Sequence, residues 1–161
     1  MRIYGVSFDL VGKQPIVLLK TSDGNRFLPI WIGHSEAAAI LMKLQGNESP
    51  RPMTHDLFAQ VLDELDARVL RISVTDLREN TFYAKITLQR NGDGGDTIEV
   101  DSRPSDAIAL AVRCDAPIFA ADDVIESNAI EMEEEPKEQE EVVEEFRKFL
   151  DDVRPEDFGG S

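Results

Sequence analysis

Asp101-Ser102-Arg103-Pro104-Ser105-Asp106-Ala107 closes one pattern and opens another. Before it, Asp96 to Val100 reads as a strand; after it, Ala107 to Val112 is apolar and reads as a helix. A shorter echo stands upstream, where Ser35-Glu36-Ala37-Ala38-Ala39-Ile40 parallels Ser105-Asp106-Ala107-Ile108-Ala109-Leu110. Each segment follows three strand-like runs. The pattern predicts an α+β fold: a single compact domain over 1–130, built as two β-β-β-α units with an intervening helix. An acidic linker and an amphipathic C-terminal helix over 131–161 follow it.

Working outward, the first unit holds strands around Ile3–Leu10, Pro15–Leu19 and Phe27–Ile32. Ser22-Asp23-Gly24-Asn25 is a hairpin signal, because Asp-Gly and Asn tolerate positive φ. Pro29 cannot donate to a ladder, so its strand is expected at an edge or with a bulge. Ser35 reads as the cap of an alanine-rich helix that Gly46-Asn47 ends. Ser49-Pro50-Arg51-Pro52 reads as a stiff linker, and Thr54 as the cap of an amphipathic helix ending near Asp66. Two long strands follow, through Val69–Val74 and Phe82–Leu88, joined to Thr97–Val100 by a loop at Asn91–Gly95. Pro117–Ala121 reads as a short strand, and Asp122 as the cap of a short helix through Asn128.

The net charge is −15. Residues 131–161 hold 13 acidic against 4 basic residues, so the tail carries −9 of it. Such a polyanion repels nucleic acid unless a local basic patch or a metal ion intervenes. Within the tail, Val142, Val143, Phe146, Phe149 and Leu150 mark an amphipathic helix whose apolar face must dock on something. No apolar run approaches the ~20 residues of a membrane span, and the N-terminal stretch does not read as a signal peptide. The single cysteine, Cys114, excludes an internal disulfide and fits a reducing cytoplasm.

Polar residues concentrate at three helix starts: His34, Ser35 and Glu36; Arg51, Thr54, His55 and Asp56; and Asp101, Arg103, Ser105 and Asp106. Histidine serves as base or phosphate contact. Asp56, Asp101 and Asp106 are candidate ligands for Mg²⁺ or Mn²⁺, which prefer oxygen donors. Arg51 and Arg103 suit phosphate. The structural reading competes throughout. Ser35, Thr54 and Ser105 are helix caps by type, Glu36, Asp56 and Asp106 suit the helix dipole, and Asp101–Arg103 reads equally as a structural ion pair. No organic cofactor motif, zinc-type spacing or phosphate-binding glycine loop occurs.

Several segments together carry a resemblance. They are Val6-Ser7, Leu28-Pro29-Ile30-Trp31-Ile32-Gly33 with Glu36-Ala37, Arg51-Pro52-Met53-Thr54-His55-Asp56-Leu57, and Asp101 through Ala111. In order and spacing the chain resembles the bifunctional nuclease domain family over roughly residues 1–130. The resemblance implies a compact α+β fold, self-association, and RNase and DNase activity. On that basis the expected reaction is metal-assisted phosphodiester hydrolysis. His55, Asp101, Arg103 and Asp106 are the expected catalytic residues. Arg51, Thr54 and Ser105 would bind substrate, and Asp56, Asp101 and Asp106 would hold the ion. Expected partners are RNA or DNA, a second copy meeting at Trp31, Phe27 and the Pro29 edge, and a basic protein for the acidic tail; no membrane partner is expected. The competing expectation is a non-catalytic, homo-oligomeric or anion-binding regulatory module.

Overall fold

The computed structural model describes residues 1–8, 12–22, 24–90 and 95–131. The elements run β1 (Arg2–Phe8), β2 (Pro15–Lys20), β3 (Arg26–Trp31), α1 (His34–Leu44), α2 (Thr54–Glu64), β4 (Ala67–Arg78), β5 (Thr81–Arg90) and β6 (Thr97–Ser102). They continue with α3 (Pro104–Cys114), β7 (Ile118–Ala120), α4 (Asp122–Asn128) and β8 (Ile130–Glu131). The two β-β-β-α units are therefore present, with α2 between them. The expected tail helix lies outside the described residues.

Each unit forms a meander that a C-terminal strand completes. One sheet has the order β1-β2-β3-β8 and the other β6-β5-β4-β7. β7 adds parallel to β4, and β8 adds antiparallel to β3 through Arg26 and Phe27. Among the described residues, β8 pairs with β3 only at Arg26 and Phe27, and Pro29 lies beyond that pairing, as a residue without an N–H should. The short pairing of β8 was not expected from sequence.

Alternation decides the faces. Val17, Leu19, Leu28 and Ile30 of the first sheet and Ile72, Val74, Ala84 and Ile86 of the second are buried in one hydrophobic core. The core also takes Ile40 and Leu41 from α1 and Ala107 to Ala111 from α3. α3 packs against α1, α2, β4 and β5 and is the central helix of the molecule. Its run of small residues permits those close approaches. Positive φ marks the sharp reversals. Glu79 and Asn80 (φ 48° and 59°) turn β4 into β5, the geometry that matches strand twist. Gly46 (φ 69°) ends α1 with Gly46 N–H donating to Lys43 O and Asn47 N–H to Met42 O, the Schellman pattern.

The helix caps differ from those expected. Gly33, Met53, Arg103 and Ala121 are the N-cap residues, and none caps through its side chain. Thr54 and Asp122 are instead the first helical residues, and Ser35 and Ser105 the second. Pro104 explains the α3 start: its fixed φ suits the first helical position, where the missing N–H costs nothing.

Candidate functional site at three helix starts

Glu36, Arg103, Asp106 and His55 come from three helix starts and join in one chain of charged hydrogen bonds. Arg103 Nη2 donates to Glu36 Oε1 at 2.9 Å, and Arg103 Nε donates to Asp106 Oδ2 at 2.7 Å. Asp106 Oδ1 lies 2.9 Å from His55 Nε2. An ionised carboxylate only accepts, so Nε2 carries the proton and Nδ1 is left as the basic nitrogen of the neutral ring.

Local structure positions each member. Arg103 is the extended residue before Pro104, so its side chain leaves the end of β6 and reaches across to α1. Asp106 sits one turn into α3, three residues on, which suits an ion pair with Arg103. Glu36 folds back over Gly33, where a Cβ would collide with its carboxylate. Glycine there makes room for the Glu36–Arg103 contact. The His55 side chain is 13% exposed and the Arg103 side chain 66%, so the imidazole is held inside while the guanidinium faces solvent.

The electrostatics favour ionised partners. Burial pulls the Asp106 pKa upward, but hydrogen bonds from Arg103 and His55 and their charge outweigh it and hold the carboxyl below its ordinary value. The Asp106 hydrogen bond in turn raises Arg103, with the Asp106 charge and Glu36 adding to it against desolvation.

Asp56, adjacent to His55, belongs to a different assembly. Its carboxylate accepts from the Met53 N–H at 2.9 Å and from Arg113 Nε at 2.6 Å. Arg113 also donates to Ala109 O at 2.8 Å and Ala39 O at 3.1 Å. A buried guanidinium thus ties α1, α2 and α3 together through the residue that follows His55 in α2. Burial raises the Asp56 pKa, but the Met53 N–H and Arg113 more than reverse this and lower it.

Of the sequence candidates, the structure brings His55, Arg103 and Asp106 together. Asp101 stands apart on β6 opposite Lys85; Arg103 turns to Asp106 and Glu36 instead, so the expected Asp101–Arg103 pair does not form. Ser105 is buried in α3 and is not presented to a substrate. Arg51 and Thr54 are exposed, Arg51 on the segment that enters α2 and Thr54 as its first residue, next to His55 in sequence. Asp56, Asp101 and Asp106 do not converge as a donor set. Among the described residues, no group of three or more His, Cys, Asp or Glu is placed to hold an ion. Both Asp106 oxygens are already engaged with Arg103 and His55, so the arrangement does not fit a shared ion on these three residues. Glu36, noted in sequence at a helix start and in the family-like Glu36-Ala37 pair but not among the expected site residues, is the fourth member of the site; Arg113, hidden in an apolar helix, belongs to the neighbouring assembly with Asp56.

A family model described as the bifunctional nuclease domain matches residues 17–133. The chain belongs to this family. An uncharacterized protein of Mycobacterium tuberculosis is 40% identical over 164 residues, covering 98% of this chain and 96% of that protein. Bifunctional nuclease 2 of Arabidopsis thaliana is 30% identical over 103 residues, which are 63% of this chain and 31% of the plant protein. Bifunctional nuclease 1 of Oryza sativa subsp. japonica is 29% identical over 103 residues, again 31% of its own length. The family match contains all four members of the site. Among the described residues no helix is long and apolar enough to cross a membrane.

Proposed function

We propose that this chain is a nuclease that hydrolyses phosphodiester bonds of RNA and DNA at the Glu36–Arg103–Asp106–His55 site. The observation that supports this best is the Asp106-oriented His55 beside an exposed, doubly anchored Arg103, in a chain of the bifunctional nuclease domain family. Asp106 holds the Nε2–H tautomer, and Nδ1 takes a proton from the attacking water. The remaining donors of Arg103 hold the phosphoryl oxygens as charge builds on them. In this reading the exposed Arg51 and Thr54, just before His55 in sequence, supply further substrate contacts. Ribose and deoxyribose are both accepted because the base acts on water, not on a 2′-hydroxyl.

The purified full chain, incubated with single-stranded RNA and DNA, tests the proposal beside His55→Ala and Asp101→Ala. Each is assayed with Mg²⁺, with Mn²⁺ and with EDTA. Cleavage lost in His55→Ala by about 10²–10⁴-fold, the usual worth of a positioned base, and largely kept in Asp101→Ala, supports the reading. Equal cleavage by wild type and His55→Ala rejects it. The EDTA arm decides whether an ion assists.

A second reading rests on the same exposed Arg103: a non-catalytic module that binds an anion there. It predicts nucleotide or phosphate binding that Arg103→Ala abolishes, with no cleavage by any form.

A further inference from the structure

α2 turns its apolar side outward. Only Leu62 of the helix is buried; the half-buried residues are Ala59 and the polar pair His55 and Asp56, which reach inward to Asp106 and Arg113. Leu57, Phe58, Val61 and Leu65 are 55%, 39%, 43% and 61% exposed, and Met53 at the helix entry is exposed as well. Leu57, Val61 and Leu65 stand four residues apart and form one ridge along the helix, bordered by a groove with Gln60, Asp63 and Glu64. Single exposed apolar residues are ordinary, but these five together expose roughly 450–500 Å², the size of patch that marks an interaction surface.

We propose that this face is where a second copy of the chain docks, the two α2 helices packing antiparallel about a two-fold axis at Val61. The ridge is palindromic: with Val61 against Val61, Leu57 of one copy lies level with Leu65 of the other, as an isologous contact requires. Charge selects the antiparallel sense. Asp63, Glu64 and Asp66 crowd the C-terminal end of α2, and Arg51 precedes its N-terminal end, where the helix dipole is also positive. Antiparallel packing sets each acidic end beside the partner's positive end, whereas parallel packing would set acid on acid. Area agrees as well. With the exposed Thr54, Gln60 and Glu64 as a rim, the face reaches roughly 600–800 Å² per copy, the lower half of the range for specific, stable interfaces. The strand edge expected from sequence offers less, since Trp31 is exposed there but Phe27 is buried.

The mass of the full chain in solution tests the docking. Multi-angle light scattering is expected to give two copies for wild type and one for Val61→Asp, whose circular dichroism stays that of wild type because Val61 is exposed. In a Cys114→Ser background, Val61→Cys is expected to cross-link between chains through a short bis-maleimide, since the two thiols meet on the axis. Phe119→Cys is the control: it is as exposed as Val61 but lies on the face of the second sheet opposite the core, and should stay a single chain. A wild type with the mass of one copy overturns the proposal. So does a Val61→Asp protein that keeps the mass of two, or a Val61→Cys protein that cross-links no more than Phe119→Cys.

Discussion

Replacing Arg113 by methionine removes the guanidinium but keeps a stem of similar length. Three hydrogen bonds are lost, to Asp56, Ala109 and Ala39. The two carbonyls lie within helices, where a backbone N–H four residues on also reaches them, so neither is orphaned. Asp56 keeps the Met53 N–H, and its side chain is 33% exposed, so water partly replaces the lost partner. The cost therefore falls below the ~3–5 kcal/mol of breaking a fully buried pair. It exceeds the ~1 kcal/mol of one neutral hydrogen bond. A loss of about 2–3 kcal/mol follows, or roughly 5–10 °C in Tm for a chain of this size. Urea unfolding followed by circular dichroism measures it; the midpoint should fall with the slope unchanged. Adding Asp56→Asn should restore part of the loss, since the unpaired charge goes with it. A change under ~0.5 kcal/mol, the range of ordinary surface substitutions, would refute the reasoning. The three helices would then be held by apolar contacts alone.

Further outcomes follow from the same geometry. Asp56 and Asp106 both have folded pKa values below their unfolded ones. Their contribution is fully present above the ordinary carboxylate value of about 4 and is lost as pH falls through the lowered folded values. Acid unfolding of Asp106→Asn should accordingly show a shallower loss of stability below about pH 4 than wild type. Gly33→Ala should push the Glu36 carboxylate off its position. Stability should change by under ~1 kcal/mol, while cleavage falls, because Arg103 loses one anchor; equal activity would make Glu36 dispensable. Arg103→Lys should cleave more slowly than wild type even though the charge is kept, because a lysine cannot hold two carboxylates in a fork.

The strand-to-helix junctions were legible because strand alternation gives way to apolar helical spacing at Ala37 and again at Ala107. The caps were misplaced for a physical reason. Ser35, Thr54 and Ser105 have cap chemistry, but the chain turns earlier, at Gly33, Met53 and Arg103, and Pro104 fixes the α3 start. His55, Arg103 and Asp106 were legible as polar residues at helix starts. Their connection was not: His55 and Asp106 are 51 residues apart, and Glu36 and Arg103 are 67 apart. Nearness in sequence suggested Asp101 for Arg103, but Asp101 belongs to the pleat of β6 and Arg103 lies beyond its end, free to swing toward α1. Arg113 escaped because a single cation in an apolar helix reads as a surface residue, whereas its partners on α1 and α2 are 74 and 57 residues away. Phe27, read from sequence as a candidate for contact with a second copy, is buried, with Tyr4 edge-on to it and the Lys20 ammonium over its ring.

The central claim is that Asp106 serves the chemistry by orienting His55 and Arg103. Its most direct test is the single-turnover cleavage rate of Asp106→Asn on single-stranded RNA and DNA, with folding checked by circular dichroism. Asparagine retains an oxygen and an NH₂ but loses the charge that fixes the His55 tautomer and pairs with Arg103. A folded protein whose cleavage step is slower by about 10²-fold or more is expected. A folded Asp106→Asn protein that cleaves at the wild-type rate would contradict it.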